Sequence, residues 1–168
     1  SRAASGAVRI PDEDGAADFY QLGLQELSCL GYQQYEISNF ARPGAECLHN
    51  IGYWQGAYYL GLGVSAHSLL PARDEEKETG AFYIRASNFS NTADYCRAME
   101  EKDTAAEDRQ PISHKEAMFE AMMLGLRMNS GISGTDFQRR FGTSIRSVYG
   151  APLEQAVQNG LGLWTADG

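Results

Sequence analysis

The sequence predicts a mixed fold, with an α/β part over residues 1–75 and a mostly helical, winged-helix-like part over residues 76–168. Three observations predict this arrangement. In the first part, a helical apolar pattern precedes two strand-like runs. Residues 71–80 are acidic with almost nothing apolar, so we expect an exposed loop or a domain boundary there. Beyond them, helix-capping residues recur before successive apolar patterns.

The first part begins with a predicted helix. Pro11 and the acidic residues 12–14 are typical of a helix start, and Gly31 is expected to end the helix. Between them, large apolar side chains follow at helical spacing at Tyr20, Leu24, Leu27 and Leu30. Residues 35–38 and 58–64 are predicted strands, joined by a long loop. A helix followed by such strands is typical of the edge of an α/β barrel or sheet.

The second part is predicted to start with two capped helices. Asn91 or Thr92 caps the first, and Ser113 with Glu116 forms a capping box that opens the second. This second helix is expected to end at Gly131 and to present one apolar face made of Ala117, Ala121, Leu124 and Met128. The methionines of this stretch are interpreted as core filler, because methionines at helical spacing usually pack inside. His114, in the capping turn, is expected at the surface.

Two more helices and a strand complete the prediction. A short helix begins at residues 133–136 and carries Phe137 and Phe141, a further helix covers residues 144–158, and residues 161–164 form a strand. Helices followed by a hairpin suggest a winged-helix-like module. The final Asp-Gly pair is a hairpin-turn signal, so we expect the returning strand to lie beyond it. The chain is therefore expected to be a piece of a longer protein.

Composition excludes several classes of function. The formal net charge is −8, and basic residues are scattered, which argues against nucleic acid or an anionic membrane surface as partner. No apolar run approaches the ~20 residues that a transmembrane helix needs. The first ten residues lack the apolar region of a secretory signal. We expect a cytoplasmic protein.

The three cysteines, Cys29, Cys47 and Cys96, lie far apart. An odd, sparse set fits a reducing compartment better than a disulfide framework. The chain contains no CxxxCxxC, which is the spacing that places three thiolates around a [4Fe–4S] cluster. This chain is therefore not expected to hold such a cluster by itself.

Residues 49–54, HNIGYW, contain the sharpest candidate for chemistry. The neutral imidazole of His49 is suited to be an axial ligand of haem iron, and Tyr53 or Trp54 could flank the porphyrin face. The alternative from the residues alone is structural: His49 and Asn50 hydrogen-bond across the loop while the aromatic rings anchor it on the core. Cys47, two residues before His49, is a rival thiolate ligand.

Two other segments are candidates. Residues 61–66 are rich in glycine, which allows a cofactor or another backbone to approach closely, and His67 follows them. The alternative is a strand in which glycines relieve crowding and His67 bonds a neighbouring carbonyl. Glu36, Ser38 and Asn39 lie in a predicted strand and at its end, where barrel enzymes place functional groups, so Glu36 could contact a cofactor or hold the following loop. It could instead pair with an arginine, Arg42 or Arg85, while Asn39 ties the turn.

Three motifs in this order resemble one known family. They are YEISNFA at residues 35–41, HNxxYW at residues 49–54 and YLGLGxxAHS at residues 59–68. Together they resemble the radical-SAM, oxygen-independent coproporphyrinogen III oxidase-like family, and within it the haem-chaperone (HemW-like) branch. The resemblance implies the end of a TIM-like radical-SAM barrel followed by the family's helical C-terminal domain. It also implies haem, S-adenosylmethionine and a [4Fe–4S] cluster as ligands of the whole protein.

The resemblance also implies roles for particular residues. His49 would ligate haem iron, with Asn50, Tyr53 and Trp54 completing the haem site. S-adenosylmethionine would lie against Glu36 and a strand edge made of Gly63, Val64, Ser65 and Ala66. The expected partners are haem or another porphyrin, haem-accepting proteins and a second copy of the parent protein.

Haem delivery is the function that the resemblance favours. The alternatives are a true oxygen-independent coproporphyrinogen III oxidase, which performs radical decarboxylation, and a winged-helix-like module that docks another protein. Because the cluster cysteines are missing, this chain alone is expected to be catalytically inactive.

Overall fold

The computed structural model describes residues 10–102 and 105–165, and the chain divides into two compact units. The first unit ends at Cys47 and the second begins at Leu48. The domain boundary expected near residue 75 stays a prediction. A sheet of the second unit continues across that position, from a strand that ends at Pro71 to one that begins at Ala81.

The first unit is a helix and a β-hairpin. Helix α1 covers Glu13–Cys29 and starts as predicted, because the Asp12 side chain accepts a hydrogen bond from the Gly15 amide at 2.9 Å. It ends before Gly31, which has a φ of 81°. Strands β1 (Gln33–Glu36) and β2 (Asn39–Ala41) pair antiparallel. The predicted helix and the first strand are thus confirmed, the strand two residues earlier than expected.

The second unit combines a three-stranded antiparallel sheet with six helices among its described residues. The sheet order is β3-β4-β5, so β4 is the central strand. The elements are α2 (Leu48–Trp54), β3 (His67–Pro71), α3 (Asp74–Glu78), β4 (Ala81–Asn88), α4 (Thr92–Lys102), β5 (Ala106–Ser113), α5 (His114–Gly125), α6 (Gly134–Phe141) and α7 (Ile145–Gln158). Within the described ranges, no helix combines the length and apolar character that crossing a bilayer requires.

The core of the second unit lies between the sheet and helices α5 to α7. Strand β4 supplies Tyr83, which is 2% exposed, while α5 and α6 supply buried apolar side chains that face it. The cluster consists of Leu69, Tyr83, Ile112, Ala117, Met118, Met122, Phe137, Phe141 and Ile145. A smaller cluster of Ala72, Ala81 and Ile84 covers the other face of β4. Burial on both faces fixes the register of this central strand.

Local capping predicts most of the helix starts correctly. The Asn91 side chain accepts from two amides at the start of α4, and Ser133 and Ser144 cap α6 and α7. The capping box at the start of α5 is present in both directions: the Ser113 side chain accepts from the Glu116 amide, and the Glu116 carboxylate accepts from the Ser113 amide.

Helix α5 is shorter than predicted. It ends at Gly125 rather than Gly131, because residues 126–131 form turns that return Ile132 against Gly125. A Cβ at position 125 would lie 2.6 Å from Ile132 Cγ1, so a glycine permits this close approach. Of the predicted face, Ala117 is buried and Ala121 packs partly buried against the core, whereas the other buried positions of the helix are Met118, Met122 and Gly125.

The interpretation of the methionines as core filler holds for part of the set. Met118 and Met122 are buried, whereas Met123 is 53% exposed. His114 is exposed as expected, although its Nε2 lies 3.1 Å from the Phe141 carbonyl oxygen and its ring packs against Phe82.

Two predicted strands are wrong. Residues 58–64 form no strand beyond a single bridge between Tyr59 and Leu69, and the strand begins at His67 instead. Residues 161–164 are not a strand. The stretch 71–80, expected to be an exposed loop or a domain boundary, contains the short helix α3 inside the β3–β4 connection. The Asp167-Gly168 turn lies outside the described residues.

Candidate functional site

Helix α2 places the imidazole of His49 and the ring of Tyr53 side by side. The two residues are four positions apart, so they share one face of the helix. Their ring centroids are 4.5 Å apart with planes at 74°, an edge-to-face contact. Both side chains are exposed. An exposed imidazole in its neutral form can donate a nitrogen lone pair to a metal, and here one aromatic ring already supports it.

The ring of Tyr53 rests in turn on Tyr59. Their centroids are 4.7 Å apart with planes at 86°. Tyr59 is bound to β3 by two backbone hydrogen bonds, from its amide to Leu69 O at 2.9 Å and from the Leu69 amide to Tyr59 O at 3.0 Å. Its ring packs against the core cluster. The three rings of His49, Tyr53 and Tyr59 therefore form a continuous row, which we call the ring row.

Trp54 lies on a different side of α2 from His49. Five positions correspond to about 140° around a helix of 3.6 residues per turn. The guanidinium carbon of Arg127 lies 4.4 Å from the centroid of the indole, a cation–π contact, and the indole is partly buried. Trp54 also lines a cleft of about 560 Å³ with residues of α5 and α6. Asn50 is partly buried and has a contact of its own.

The end of α2 is held by an arginine from α6. Arg140 donates from Nη1 to the Gln55 carbonyl oxygen at 3.0 Å and from Nη2 to the Gly56 carbonyl oxygen at 3.2 Å. Carbonyl groups at a helix C-terminus lack partners within the helix, so a cationic donor there stabilises the helix end. The position of α2 thus depends on the helical domain that follows it in the chain.

The segment that carries Gly63, Val64, Ser65 and Ala66 is a tightly held loop rather than a strand. The Asn88 side chain donates to Gly63 O at 2.9 Å, the Ser65 amide donates to Phe89 O at 2.9 Å, and the Asn88 amide donates to Ala66 O at 2.8 Å. Ser65 has a φ of 58°, unusual for a residue with a side chain. These three hydrogen bonds hold the loop against the end of β4. His67 is exposed where β3 begins.

Glu36 belongs to the first unit and is fully buried there. Its Oε1 accepts hydrogen bonds from the Ser38 amide at 2.8 Å and from Asn39 Nδ2 at 2.5 Å. The Asn39 side chain therefore ties this turn, as in the structural alternative considered for this segment. In the second unit, Arg85 donates to Glu120 at 2.7 Å.

The cysteines are free and exposed, at Cys29, Cys47 and Cys96. Within residues 10–102 and 105–165, no group of three or more histidine, cysteine or carboxylate side chains is arranged to hold a metal ion. The three cysteines are far apart in sequence and do not have the spacing of a [4Fe–4S] thiolate set.

Sequence reasoning missed three residues that shape this region: Tyr59, Arg127 and Arg140. Tyr59 begins the YLGLG motif and lies in an aromatic-rich stretch. That clustering of aromatic residues is a signal that could have indicated its contact with Tyr53. The two arginines lie far along the chain from α2, and Arg140 is separated from Gly56 by 84 positions. No periodicity or spacing links residues so distant.

Comparison with known proteins supports a relationship to haem-handling proteins. Residues 112–166 match the family described as the HemN C-terminal domain. The chain is 32% identical over 161 residues to the heme chaperone HemW of Lactococcus lactis and 29% identical over 156 residues to HemW of Bacillus subtilis. These alignments cover 96% and 93% of this chain, but only 39% and 38% of those proteins.

Two further comparisons extend this similarity. A mitochondrial radical S-adenosyl methionine domain-containing protein 1 from Bos taurus is 34% identical over 134 residues, covering 80% of this chain and 30% of that protein. The structure of coproporphyrinogen III oxidase (HemN) from Escherichia coli, a radical SAM enzyme, superposes with a TM-score of 0.62 at 16% identity. It covers 89% of this chain and 35% of that chain, and at this identity it establishes the fold alone.

Proposed function

The chain belongs to the HemW-like branch of the radical-SAM, oxygen-independent coproporphyrinogen III oxidase-like family, and from that premise we propose that it binds haem at α2 for delivery to other proteins. The observation that carries the proposal is the exposed imidazole of His49, supported edge-on by Tyr53. An imidazole sealed in the core and saturated by neighbours would be unable to reach a macrocycle.

Haem would supply an iron that accepts an imidazole nitrogen as axial ligand. His49 is the residue that would provide this nitrogen, and Tyr53 would flank the macrocycle. Asn50, on the next position of α2, would orient the imidazole or its helix. Trp54 is proposed as part of the same site, and its contact with Arg127 supports a role in fixing α2.

In the whole protein we propose S-adenosylmethionine as a ligand of Gly63, Val64, Ser65 and Ala66 in the second unit, and separately a cofactor-binding role for Glu36 in the first unit. The fixed backbone of the loop at residues 63–66 supports this, because a preorganised loop binds a ligand with less loss of entropy. The thiolates of a [4Fe–4S] cluster would come from another part of that protein. We further propose that the first part of this chain completes the TIM-like barrel and that the helical part is the winged-helix-like C-terminal domain.

The proposed partners are haem or a related porphyrin, haem-accepting proteins and a second copy of the parent protein, in the cytoplasm. The acidic balance, a net charge of −8, supports a partner other than nucleic acid. The alternatives are a true coproporphyrinogen III oxidase, which the experiments below can favour, and a winged-helix-like protein-docking module.

A haem titration of the purified chain tests the proposal. We expect a saturable Soret shift for the native chain, and loss of that shift in His49→Ala. His67→Ala is the matched control, since His67 is also exposed and one of only three histidines. Equal spectra for native chain and His49→Ala would overturn the haem site.

A second experiment distinguishes what this chain binds from what the longer protein is proposed to bind. Reconstitution of the purified chain with iron and sulfide under anaerobic conditions should give no thiolate-ligated cluster, because the three cysteines lack cluster spacing. Stoichiometric cluster formation would contradict this assignment. Decarboxylation of coproporphyrinogen by the full-length parent would favour the oxidase alternative.

A further inference from the structure

Helix α2 has little intrinsic reason to be stable. It is seven residues long, and none of its residues is buried. An isolated helix this short is unstable in water, because nucleation is unfavourable and few hydrogen bonds follow it. Its shape and position must therefore come from contacts outside the helix. The contact on the side of His49 is the ring row.

The base of the ring row is rigid. Tyr59 joins β3 through two backbone hydrogen bonds to Leu69, and Leu69 is itself buried in the core cluster. Strand β3 pairs with β4 over five residue pairs, so the base is continuous with the sheet. Tyr53, in contrast, is 37% exposed and His49 is exposed at the open end of the row.

Burial and nearby charged groups of β4 and α5 also affect the pKa of the Tyr59 hydroxyl. Burial raises the pKa of Tyr59, the neighbouring Tyr53 and Glu120 raise it further, and the charge of Arg85 lowers it. Arg85 and Glu120 form an ion pair between β4 and α5, at 2.7 Å. Tyr59 therefore contacts the exposed ring of Tyr53 on one side and is influenced by the charges of this ion pair.

We propose that Tyr59 is a positioning residue for the His49 imidazole, acting through Tyr53. Tyr59 is held by the sheet, Tyr53 packs on Tyr59, and the His49 imidazole packs on Tyr53. These contacts orient the imidazole nitrogen before any ligand binds. For haem, this rests on the proposed function: Tyr59 would then raise haem affinity without touching the macrocycle, by reducing the ordering needed on binding.

The test compares Tyr59→Leu, which removes the ring, with Tyr59→Phe, which keeps it. Tyr149→Leu is the matched control, because Tyr149 packs on the same core cluster away from the ring row. The first readout needs no haem: NMR of the ligand-free chain follows the imidazole C–H resonances of His49, which sense nearby aromatic rings. We expect Tyr59→Leu to move and broaden them, and Tyr59→Phe and Tyr149→Leu to leave them in place.

The second readout is haem affinity. An aromatic pair contributes about 0.5–1.5 kcal/mol, so Tyr59→Leu should weaken His49-dependent haem binding about two- to tenfold. If the native chain shows no His49-dependent haem signal, the proposed function fails while the NMR result still decides the positioning role. Unchanged His49 resonances in Tyr59→Leu would overturn that role. If Tyr59→Leu does not fold, Tyr59→Met removes the ring with a smaller loss of volume and must give the same NMR change.

Discussion

The guanidinium of Arg140 occupies the space beside Gly56 that any side chain at that position would need. A Cβ at position 56 would lie 2.6 Å from Arg140 Nη1, closer than real Cβ contacts allow. Gly56 also has a φ of 67°, a conformation that side chains disfavour. Position 56, two residues after the end of α2, is therefore a glycine for two separate reasons, and one of them is the arginine that holds the helix end.

Gly56→Ala should destabilise the chain because of both reasons. The left-handed backbone costs about 1 kcal/mol for alanine, and displacement of Arg140 removes two hydrogen bonds worth about 1 kcal/mol each. We expect a fall in the free energy of unfolding of about 2–3 kcal/mol, measured by urea denaturation. Gly160→Ala is the control, since Gly160 has a φ of 73° but nothing within 4 Å of a Cβ. Equal losses in the two variants would show that Arg140 contributes nothing.

Arg140→Lys tests the arginine itself. Lysine keeps the charge but lacks the planar fork that reaches the carbonyl oxygens of Gln55 and Gly56 together. We expect faster amide hydrogen exchange in α2 and unchanged exchange in α5, followed by mass spectrometry. Arg139→Lys is the neighbouring control, because Arg139 is exposed and forms a local ion pair with Asp136. If amide exchange in α2 of Arg140→Lys is as slow as in the native chain, the hydrogen bonds from Arg140 do not stabilise the end of α2.

Helices could be predicted from the sequence where their signals are local. Asp12, Ser113 and Ser133 each cap a helix start through a side chain within three residues of its partner. Both partners of such a contact lie within one short stretch of sequence, and the predicted helix starts are correct at these points. The end of α5 was not, because Gly125 ends the helix through a contact with Ile132 that periodicity does not indicate.

The loop at residues 60–66 shows why the rest could not be predicted. Its apolar and glycine pattern matches a strand, yet Gly63 bonds to Asn88, 25 positions away. The candidate site has the same limit. Once residues 48–54 form a helix, the shared face of His49 and Tyr53 and the different side of Trp54 both follow from their spacing. The support from Tyr59 depends on tertiary packing.

Gly61→Ala should be more damaging than its exposed surroundings indicate. A Cβ at position 61 would lie 2.1 Å from the His67 carbonyl oxygen, and the next nearest atoms are also backbone. Backbone cannot rotate away like a side chain, so the loop or β3 must shift, at a cost of about 1–3 kcal/mol or more. We expect a lower urea midpoint and faster exchange of the Ser65 amide. Gly162→Ala, with open space around its Cβ, should be close to neutral. A native-like midpoint for Gly61→Ala would contradict this close approach.

Tyr83 connects β4 to α5 by donating its hydroxyl hydrogen to the Glu120 carboxylate. The side chain is 2% exposed. Burial raises the pKa of Tyr83 well above its usual range, and the hydrogen bond to Glu120 and the charge of that carboxylate raise it further. The folded state therefore keeps the phenol protonated at pH values where the unfolded chain releases the proton.

This difference predicts a loss of stability in alkali. Below about pH 10, the ordinary tyrosine pKa, both states hold the proton and the stabilisation is complete. Above it the unfolded state binds fewer protons than the folded state, so the free energy of unfolding falls by up to ~1.4 kcal/mol per pH unit until the folded pKa is reached. Tyr83→Phe should be less stable at neutral pH but should show a shallower alkaline decline in urea unfolding between pH 8 and 11. Tyr58→Phe, at a residue that is 53% exposed, should keep the native slope. Parallel pH profiles for Tyr83→Phe and the native chain would mean that Tyr83 is not the group responsible.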